Sequence, residues 1–166
     1  MKAIKSLFVF LIIISAVACS KDDSPRYEYN KNNLTGTYSL VYLESKEVKT
    51  VKVDGFDVVT TTKLKGDTFS TTYSFSSDNS LTKDGTYRVV ETKTQNDQTQ
   101  ETSYIVVLDN EQVSFSVQED ARLLTIEGVS YDVSHFNETG FRIKRTESRE
   151  VEGMTVDFEE ELRFEK

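Results

Sequence analysis

Apolar and polar residues alternate with a period of two over most of the chain from Leu34 to Lys166. The C-terminal segment MTVDFEEELRF shows the pattern most clearly, because its apolar residues share one face and most of its charged residues share the other. Strict alternation predicts β-strands with one buried side and one solvated side. The residues predicted to face inward are Tyr38, Leu40, Tyr42, Phe69, Tyr73, Phe75, Tyr104, Phe115, Tyr131, Phe141, Met154, Phe158, Leu162 and Phe164.

Two-residue turn signals separate these alternating segments. They lie at Asp54-Gly55, Asn110-Glu111, Glu127-Gly128 and Glu152-Gly153. Glycine supplies the positive φ that tight hairpin turns need, and only the second of these signals lacks it. A hairpin around each of the last three turns brings the apolar faces of its two strands together, as a correct register requires.

About ten short strands joined in this way predict an all-β fold without helices, an antiparallel meander. Such a sheet has to bury one face and to pair or protect its edge strands. Closure into an up-and-down β-barrel of about eight to ten strands achieves both. An open two-sheet β-sandwich is the alternative, because turn signals do not distinguish the two architectures.

The N-terminus has the pattern of a secretory signal, with Lys2 and Lys5 ahead of the apolar stretch LFVFLIIISAVA. Its end, AVAC, resembles the lipobox of bacterial lipoproteins. The resemblance implies that residues 1–18 are a signal peptide and that Cys19 carries diacylglycerol. As the single cysteine, Cys19 has no disulfide partner within the chain. The alternative is an uncleaved anchor.

A short tract, SKDD, follows the cysteine. It is similar to the signal that directs lipoproteins of the Bacteroidota to the outer face of the outer membrane, and such signals are read by a receptor. The other interpretation is that SKDD belongs to a solvated tether and carries no sorting signal. The predicted organisation is therefore a signal peptide over 1–18, a lipidated cysteine with a flexible tether over 19–33, and one barrel domain over 34–166.

The net negative charge of the chain restricts the classes of partner that it is expected to bind. The 166 residues carry a net charge of −8, which becomes −10 when Lys2 and Lys5 leave with the signal. Nucleic acid and anionic lipid surfaces both attract clustered lysine and arginine, so neither is predicted as a partner. Membrane attachment would then depend on the acyl chains at Cys19, since two or three chains hold a protein stably.

Two short stretches resemble the lipocalin-like lipoproteins of the Bacteroidota. LTGTYSL, residues 34–40, is similar to the opening motif of that family, and FSSDNSLTKDGTYRV, residues 75–89, is similar to its following strand-turn-strand. The resemblance implies a small calycin-type barrel, whose larger relatives bind hydrophobic molecules at the barrel mouth. A purely structural interpretation treats each Gly-x-Tyr element as a glycine bulge followed by an aromatic plug.

One pair of charges falls on the predicted inner face. The register around Glu152-Gly153 places Arg145 opposite Glu160. Either the two form an internal ion pair, or Arg145 anchors a carboxylate or phosphate group of a ligand. In the second interpretation Glu160 and the hydroxyls of Tyr38 and Tyr131 would complete a ligand-binding site.

Catalysis has little support in the sequence. His135 is the only histidine, and none of the common hydrolase, zinc or phosphate-loop motifs is present. We therefore predict no catalytic residue, metal site or cofactor. The favoured function is the binding of a small, partly hydrophobic ligand by a non-enzymatic, outer-membrane-anchored lipoprotein. The alternative is an interaction or adhesion module, in which loops such as TKTQNDQTQETS, residues 92–103, project from a filled barrel.

Overall fold

The computed structural model describes residues 27–166. Eight antiparallel strands follow one another in chain order around a closed ring, which confirms the all-β, up-and-down barrel-like fold. The signal peptide over 1–18 and Cys19 lie outside the described residues. The strands are β1 Gly36–Val53, β2 Phe56–Phe75, β3 Ser80–Gln95, β4 Gln98–Gln118, β5 Leu123–Ile126, β6 Val129–Asn137, β7 Gly140–Val151 and β8 Met154–Glu165.

An aromatic core closes one end of the ring. The ring of Phe141 lies 5.0 Å from that of Tyr38, 4.8 Å from that of Phe164 and 6.0 Å from that of Phe75. Most of these rings meet edge to face, an arrangement that adds to the gain from burial. This end of the barrel is therefore filled by its own side chains.

The segment before β1 lies across the closed end. Helix α1, Lys31–Leu34, is a single turn that begins at Asn30, whose side chain accepts a hydrogen bond from the Asn33 backbone N–H. Leu34 is fully buried, and the ring of Tyr29 lies 5.1 Å from that of Phe136. The packed part of the chain thus begins before Leu34, within the segment predicted as tether.

The three glycine-containing turns form at the predicted positions, and those at Glu127-Gly128 and Glu152-Gly153 have the predicted register. Val53 pairs with Phe56, Ile126 with Val129, and Val151 with Met154 across the three turns. The residues ahead of these glycines, Asp54, Glu127 and Glu152, have positive φ angles of 51°, 51° and 53°. Positive φ at both central residues is the geometry of the tight hairpin turn that follows strand twist.

The predicted hairpin at Asn110-Glu111 is wrong. Strand β4 continues through both residues, so that Val113 pairs with Leu81 and Leu108 pairs with Gly85 instead of with each other. Asn110 has a φ of 47° at a bulge, where its N–H donates to a carboxylate oxygen of Asp84 at 3.2 Å. Asparagine tolerates positive φ in bulges as well as in turns, so its signal was misassigned.

The turn that ends the β3–β4 hairpin lies within the segment predicted to be a loop, residues 92–103. Asn96 and Asp97 both have positive φ, at 49° and 59°, and the strands on either side pair up to Gln95 and Gln98. The residues around them are polar and still form strands. This hairpin extends into solvent, where alternation of apolar and polar residues is not required.

Tyr42 was predicted to face inward, and this is also wrong. A register shift between Leu40 and Tyr42 turns the strand, so Leu43 is buried and Tyr42 lies on the outer surface. There its hydroxyl donates to Glu44 at 2.6 Å and its ring lies 4.1 Å from the Arg163 guanidinium. A β-bulge inserts one residue and exchanges the faces of all positions that follow.

The strands differ greatly in length, which leaves the wall incomplete on one side. Strand β5 pairs with β4 only over Phe115–Gln118, and β6 pairs with β7 no further than Lys144. Beyond these points, among the described residues, β4 and β7 each have one unpaired edge. The six strands β4-β3-β2-β1-β8-β7 continue from the closed end as a curved sheet, and the inner side of that sheet is called the concave face below.

Candidate functional site

Three of the four residues predicted to bind ligand come together on the inner side of the barrel. Arg145 pairs with Glu160 across the β7–β8 ladder, and its Nε lies 3.4 Å from Glu160 Oε2. The Tyr131 hydroxyl donates to the same carboxylate oxygen at 3.0 Å. The Arg145 guanidinium lies 4.4 Å from the ring of Phe158 and 5.7 Å from that of Tyr131. These four side chains are called the Arg145 cluster.

Tyr38 belongs to a different part of the barrel. It is 1 % exposed within the aromatic core, and its hydroxyl donates to the Asn33 carbonyl at 3.3 Å. Lys166 Nζ lies 5.3 Å from its ring. Tyr38 therefore plugs the closed end, as the structural interpretation of the first Gly-x-Tyr element predicts, and takes no part in the Arg145 cluster.

Arg145 and Glu160 are partly buried, with side chains 25 % and 20 % exposed. Nε of Arg145 is buried and, among the described residues, has no hydrogen-bond partner, because its approach to Glu160 lacks hydrogen-bond geometry. A buried donor without a partner is costly, and an arginine offers five N–H groups in a planar fork. The exposed part of the Arg145 side chain, and not its buried Nε, can donate to an additional acceptor.

Tyrosines line the interior beside this cluster. Burial raises the pKa of Tyr131, and the charge of Glu160 and the hydrogen bond to it raise the pKa further. Burial likewise raises the pKa of Tyr73, with smaller contributions from Tyr87, Tyr131 and two carboxylates, Glu111 and Glu160. These groups influence one another because they face the same interior. Tyr73, Tyr87 and Tyr131 all have raised pKa values, so each stays neutral at physiological pH and can donate a hydrogen bond.

The sequence analysis missed a second buried charge. Lys83 is only 12 % exposed at its side chain, and its Nζ lies 3.0 Å from Glu127 and 3.5 Å from Glu111. The spacing of Leu81, Lys83 and Tyr87 at even intervals on β3 could have indicated its inward direction. Lys83 balances the acidic side chains on its side of the barrel.

Apolar residues lie at the far end of the concave face. The ladders place Val51 beside Met154, Val151 beside Met154, and Val53 beside Phe56, so all five share one face. Phe56 is 77 % exposed and Val53 is 50 % exposed. These five residues are called the apolar tip. Six residue steps along β7 separate it from Arg145, a distance of about 20 Å.

Five clefts, with volumes of about 130 to 670 Å³, mark the surface of the barrel. None of these five is lined by Arg145, Glu160, Tyr131 or Tyr38. The two largest lie beside Tyr27–Asn30 and beside the bulge near Gly85. The Arg145 cluster and the apolar tip together form an open, concave candidate site.

Within residues 27–166, no helix has the length and apolar character needed to cross a bilayer. Over the same residues, histidine, cysteine and carboxylate side chains form no group of three with the geometry to hold a metal ion. No family model, no curated protein and no solved structure matches the chain. What the chain binds therefore has to be inferred from its own residues.

Proposed function

We propose that the chain is a lipid-anchored, non-enzymatic binding protein of the bacterial outer membrane, attached through Cys19. Its ligand is a small amphiphile that carries a carboxylate or phosphate group and binds on the concave face. The AVAC and SKDD motifs support the anchor and the address. The resemblance of residues 34–40 and 75–89 to lipocalin-like lipoproteins supports the binding of a partly hydrophobic molecule.

The observation that carries the ligand class is the inward position of Arg145 beside aromatic rings, because a buried, unpartnered Nε also occurs at Arg142 on the outer face. Its guanidinium lies 4.4 Å from the ring of Phe158 and 5.7 Å from that of Tyr131, and its side chain is 25 % exposed. A hydrogen bond from a charged donor to an anionic group contributes about 1.5 to 3 kcal/mol. An acid group bound here would accept from the exposed N–H groups of the guanidinium, while Tyr131 keeps its hydrogen bond to Glu160.

The apolar part of the ligand has a matching surface. From Glu160 towards its turn, the inner positions of β8 are Phe158, Val156 and Met154, which lead to the apolar tip. An alkyl chain lying there would cover Phe158 and Met154, which are partly exposed, and each methylene buried contributes about 0.8 kcal/mol. The strip is one residue wide, because inner charged residues of β1 and β7 flank it on both sides, namely Glu47, Lys49, Glu147 and Arg149.

Native mass spectrometry of the full lipidated chain, released from detergent, tests this proposal. The probes are decanoic acid and, as the neutral control, 1-decanol. We expect a one-to-one adduct with decanoic acid and binding of the alcohol weaker by about tenfold, because it cannot replace a charged acceptor.

Two matched variants locate the site. Arg145→Gln should lose the preference for the acid. Arg163→Gln should keep it, because Arg163 makes the same kind of contacts on the outer wall, 2.7 Å from Glu161 and 4.1 Å from the ring of Tyr42. Absence of any adduct, or an equal loss of preference in both variants, would overturn the proposal.

A further inference from the structure

Strand β4 has a long edge that pairs with nothing in the described part of the chain. Its partner β5 covers only Phe115–Gln118, so the edge is free from Gln98 to beyond Asp109. At about 3.4 Å per residue, this free edge is about 40 Å long. A row of unpaired backbone N–H and C=O groups is a template for another strand.

The middle of this edge is apolar on both faces. Tyr104 lies on the inner face and is 45 % exposed, while Ile105 and Val107 lie on the outer face and are 59 % and 68 % exposed. Natural edge strands are normally protected by lysine, proline or inward-pointing charge. Strand β4 contains no lysine, arginine or proline. A long free edge with an exposed apolar centre indicates a binding surface for an extended peptide.

The charges on the outer face restrict what can bind. From Glu101 to Asp109, every second residue points outward, in the order Glu101, Ser103, Ile105, Val107 and Asp109. Within residues 27–166, neither Glu101 nor Asp109 takes part in an ion pair. Directly opposed residues on an antiparallel pair share a face, and opposite charges there attract. A complementary strand therefore carries a basic residue at each end of an apolar pair.

A second copy of the chain is disfavoured in the register that centres both edges on Ile105. If two β4 strands paired antiparallel with Ile105 opposite itself, Glu101 of each copy would lie opposite Asp109 of the other. Like charges directly opposite each other destabilise a sheet. The contact would bring four carboxylates together in two pairs, with no basic residue on either strand to compensate.

We propose that the β4 edge binds an extended segment of another protein by strand addition. The segment carries two basic residues eight positions apart, flanking β-branched residues at every second position. This inference does not depend on the proposed amphiphile site, because it uses the edge and outer face of β4, whereas the Arg145 cluster lies on β6, β7 and β8.

The test uses the full lipidated chain in detergent and the fluorescent-labelled peptide KTVTITTTK, whose lysines match Glu101 and Asp109. Fluorescence anisotropy measures its binding. The control peptide ETVTITTTE differs only in its two charges and should bind about fivefold more weakly. A peptide of the first sequence with N-methylated backbone should not bind, because strand addition requires backbone hydrogen bonds.

Variants of the chain separate this edge from the rest of the surface. The double variant Glu101→Lys with Asp109→Lys should prefer the glutamate peptide, which reverses the selectivity without removing any apolar contact. Val107→Lys should weaken binding of both peptides. The control Val59→Lys places a lysine at another exposed outer position, 44 % exposed on β2, which β3 separates from β4, and should have no effect.

Selectivity that follows the charge reversal supports the proposal. Equal binding of the two peptides, unchanged selectivity in the double variant, or a dimer in analytical ultracentrifugation that Ile105→Lys abolishes would overturn it. Arg145→Gln should leave peptide binding intact, so this result and that of the decanoic acid experiment can fail independently.

Discussion

The side chains of Arg145 and Glu160 lie directly opposite each other on the inner face of the β7–β8 hairpin, with Nε 3.4 Å from Oε2. The outer face of the same hairpin carries a comparable pair, Arg142 and Glu161, at 3.2 Å. A sheet that alternates strictly would bury only apolar residues on its inner side. The inner pair is therefore an exception to the pattern, and exceptions of this kind concentrate at functional sites.

Glu160→Gln should lower the free energy of unfolding by about 1 to 2 kcal/mol. The change leaves the partly buried guanidinium of Arg145 without its counter-charge, while the amide oxygen can still accept from Tyr131. Chemical denaturation followed by circular dichroism measures the effect. Glu159→Gln, at the neighbouring position on the outer face, should change stability much less because its pair with Lys144 is solvated.

The double variant Arg145→Gln with Glu160→Gln separates loss of the pair from loss of packing. We expect the double variant to lose about 1 kcal/mol less unfolding free energy than the sum of the two single losses, because neither charge is left without its partner. Strict additivity would show that the two charges do not interact and that each side chain acts through packing.

Gly85→Ala should destabilise the barrel by about 3 kcal/mol or more. Gly85 has a φ of 104°, and an added Cβ would lie 2.0 Å from the Ser70 carbonyl oxygen, a backbone atom that cannot move aside. Gly153→Ala is the matched control, because its φ of 77° is also positive but a Cβ there meets nothing within 4 Å. It should cost about 1 kcal/mol.

Thermal unfolding of the two glycine variants separates backbone strain from steric overlap. Equal losses of stability would show that the close approach of β2 to Gly85 has no energetic consequence, and that positive φ alone accounts for both effects.

Local patterns were sufficient to predict the hairpins that end in a glycine turn. The two-residue turn at Glu152-Gly153 and the alternation around it placed Arg145 opposite Glu160, because register in a hairpin is fixed by its turn. Eight strands in sequential order then follow from short connections alone. The barrel-like fold was predictable for this reason.

Bulges and strand lengths were not predictable. The Asn110-Glu111 pair indicates a turn when only neighbouring residues are considered, whereas in the structure Asn110 has a positive φ at a bulge and its N–H donates to Asp84 on another strand. Tyr42 likewise faces outward because a bulge lies before it. Both depend on residues distant in the sequence, as do the short β5 and the free edge of β4 that results from it.

The candidate site was predicted in part. Arg145, Glu160 and Tyr131 come together because they occupy neighbouring inner positions on β6, β7 and β8. Tyr38, like Tyr131, is a tyrosine that points inward, but it lies at the closed end. Alternation predicts which face a residue occupies and gives no information on its position along the barrel axis. Tyrosines of one face can therefore plug the core or line a site.

Cys19→Ala should abolish lipid attachment. The resemblance of AVAC to a lipobox requires a thiol at this position, because the diacylglycerol forms a thioether with it. Labelled fatty acid incorporated by growing cells and detergent phase partition of the product measure the effect. Ser20→Ala, one residue later, is the control and should leave lipidation unchanged. A membrane-bound, labelled Cys19→Ala product would contradict the proposed anchor.

Stability should fall at acidic pH through the Asp67–Arg88 pair on the outer wall. Arg88 donates to both carboxylate oxygens of Asp67, at 2.8 and 2.7 Å. These hydrogen bonds, with one from Thr68, lower the pKa of Asp67 to about 2. Because the folded-state pKa lies below the unfolded-state value of 3.8, the contribution is complete above about pH 5 and is lost progressively as the pH falls through 2.

Asp67→Asn and Arg88→Gln should each flatten the dependence of the unfolding free energy on pH between 4 and 2, since either change removes the charge-assisted pair. Urea denaturation at several pH values measures the slope for each variant and for the unaltered chain. The two variants should give nearly the same slope, because they remove the same interaction from opposite sides. A slope in either variant as steep as in the unaltered chain would show that other carboxylates account for the acid sensitivity and that the Asp67–Arg88 pair is too well solvated to contribute.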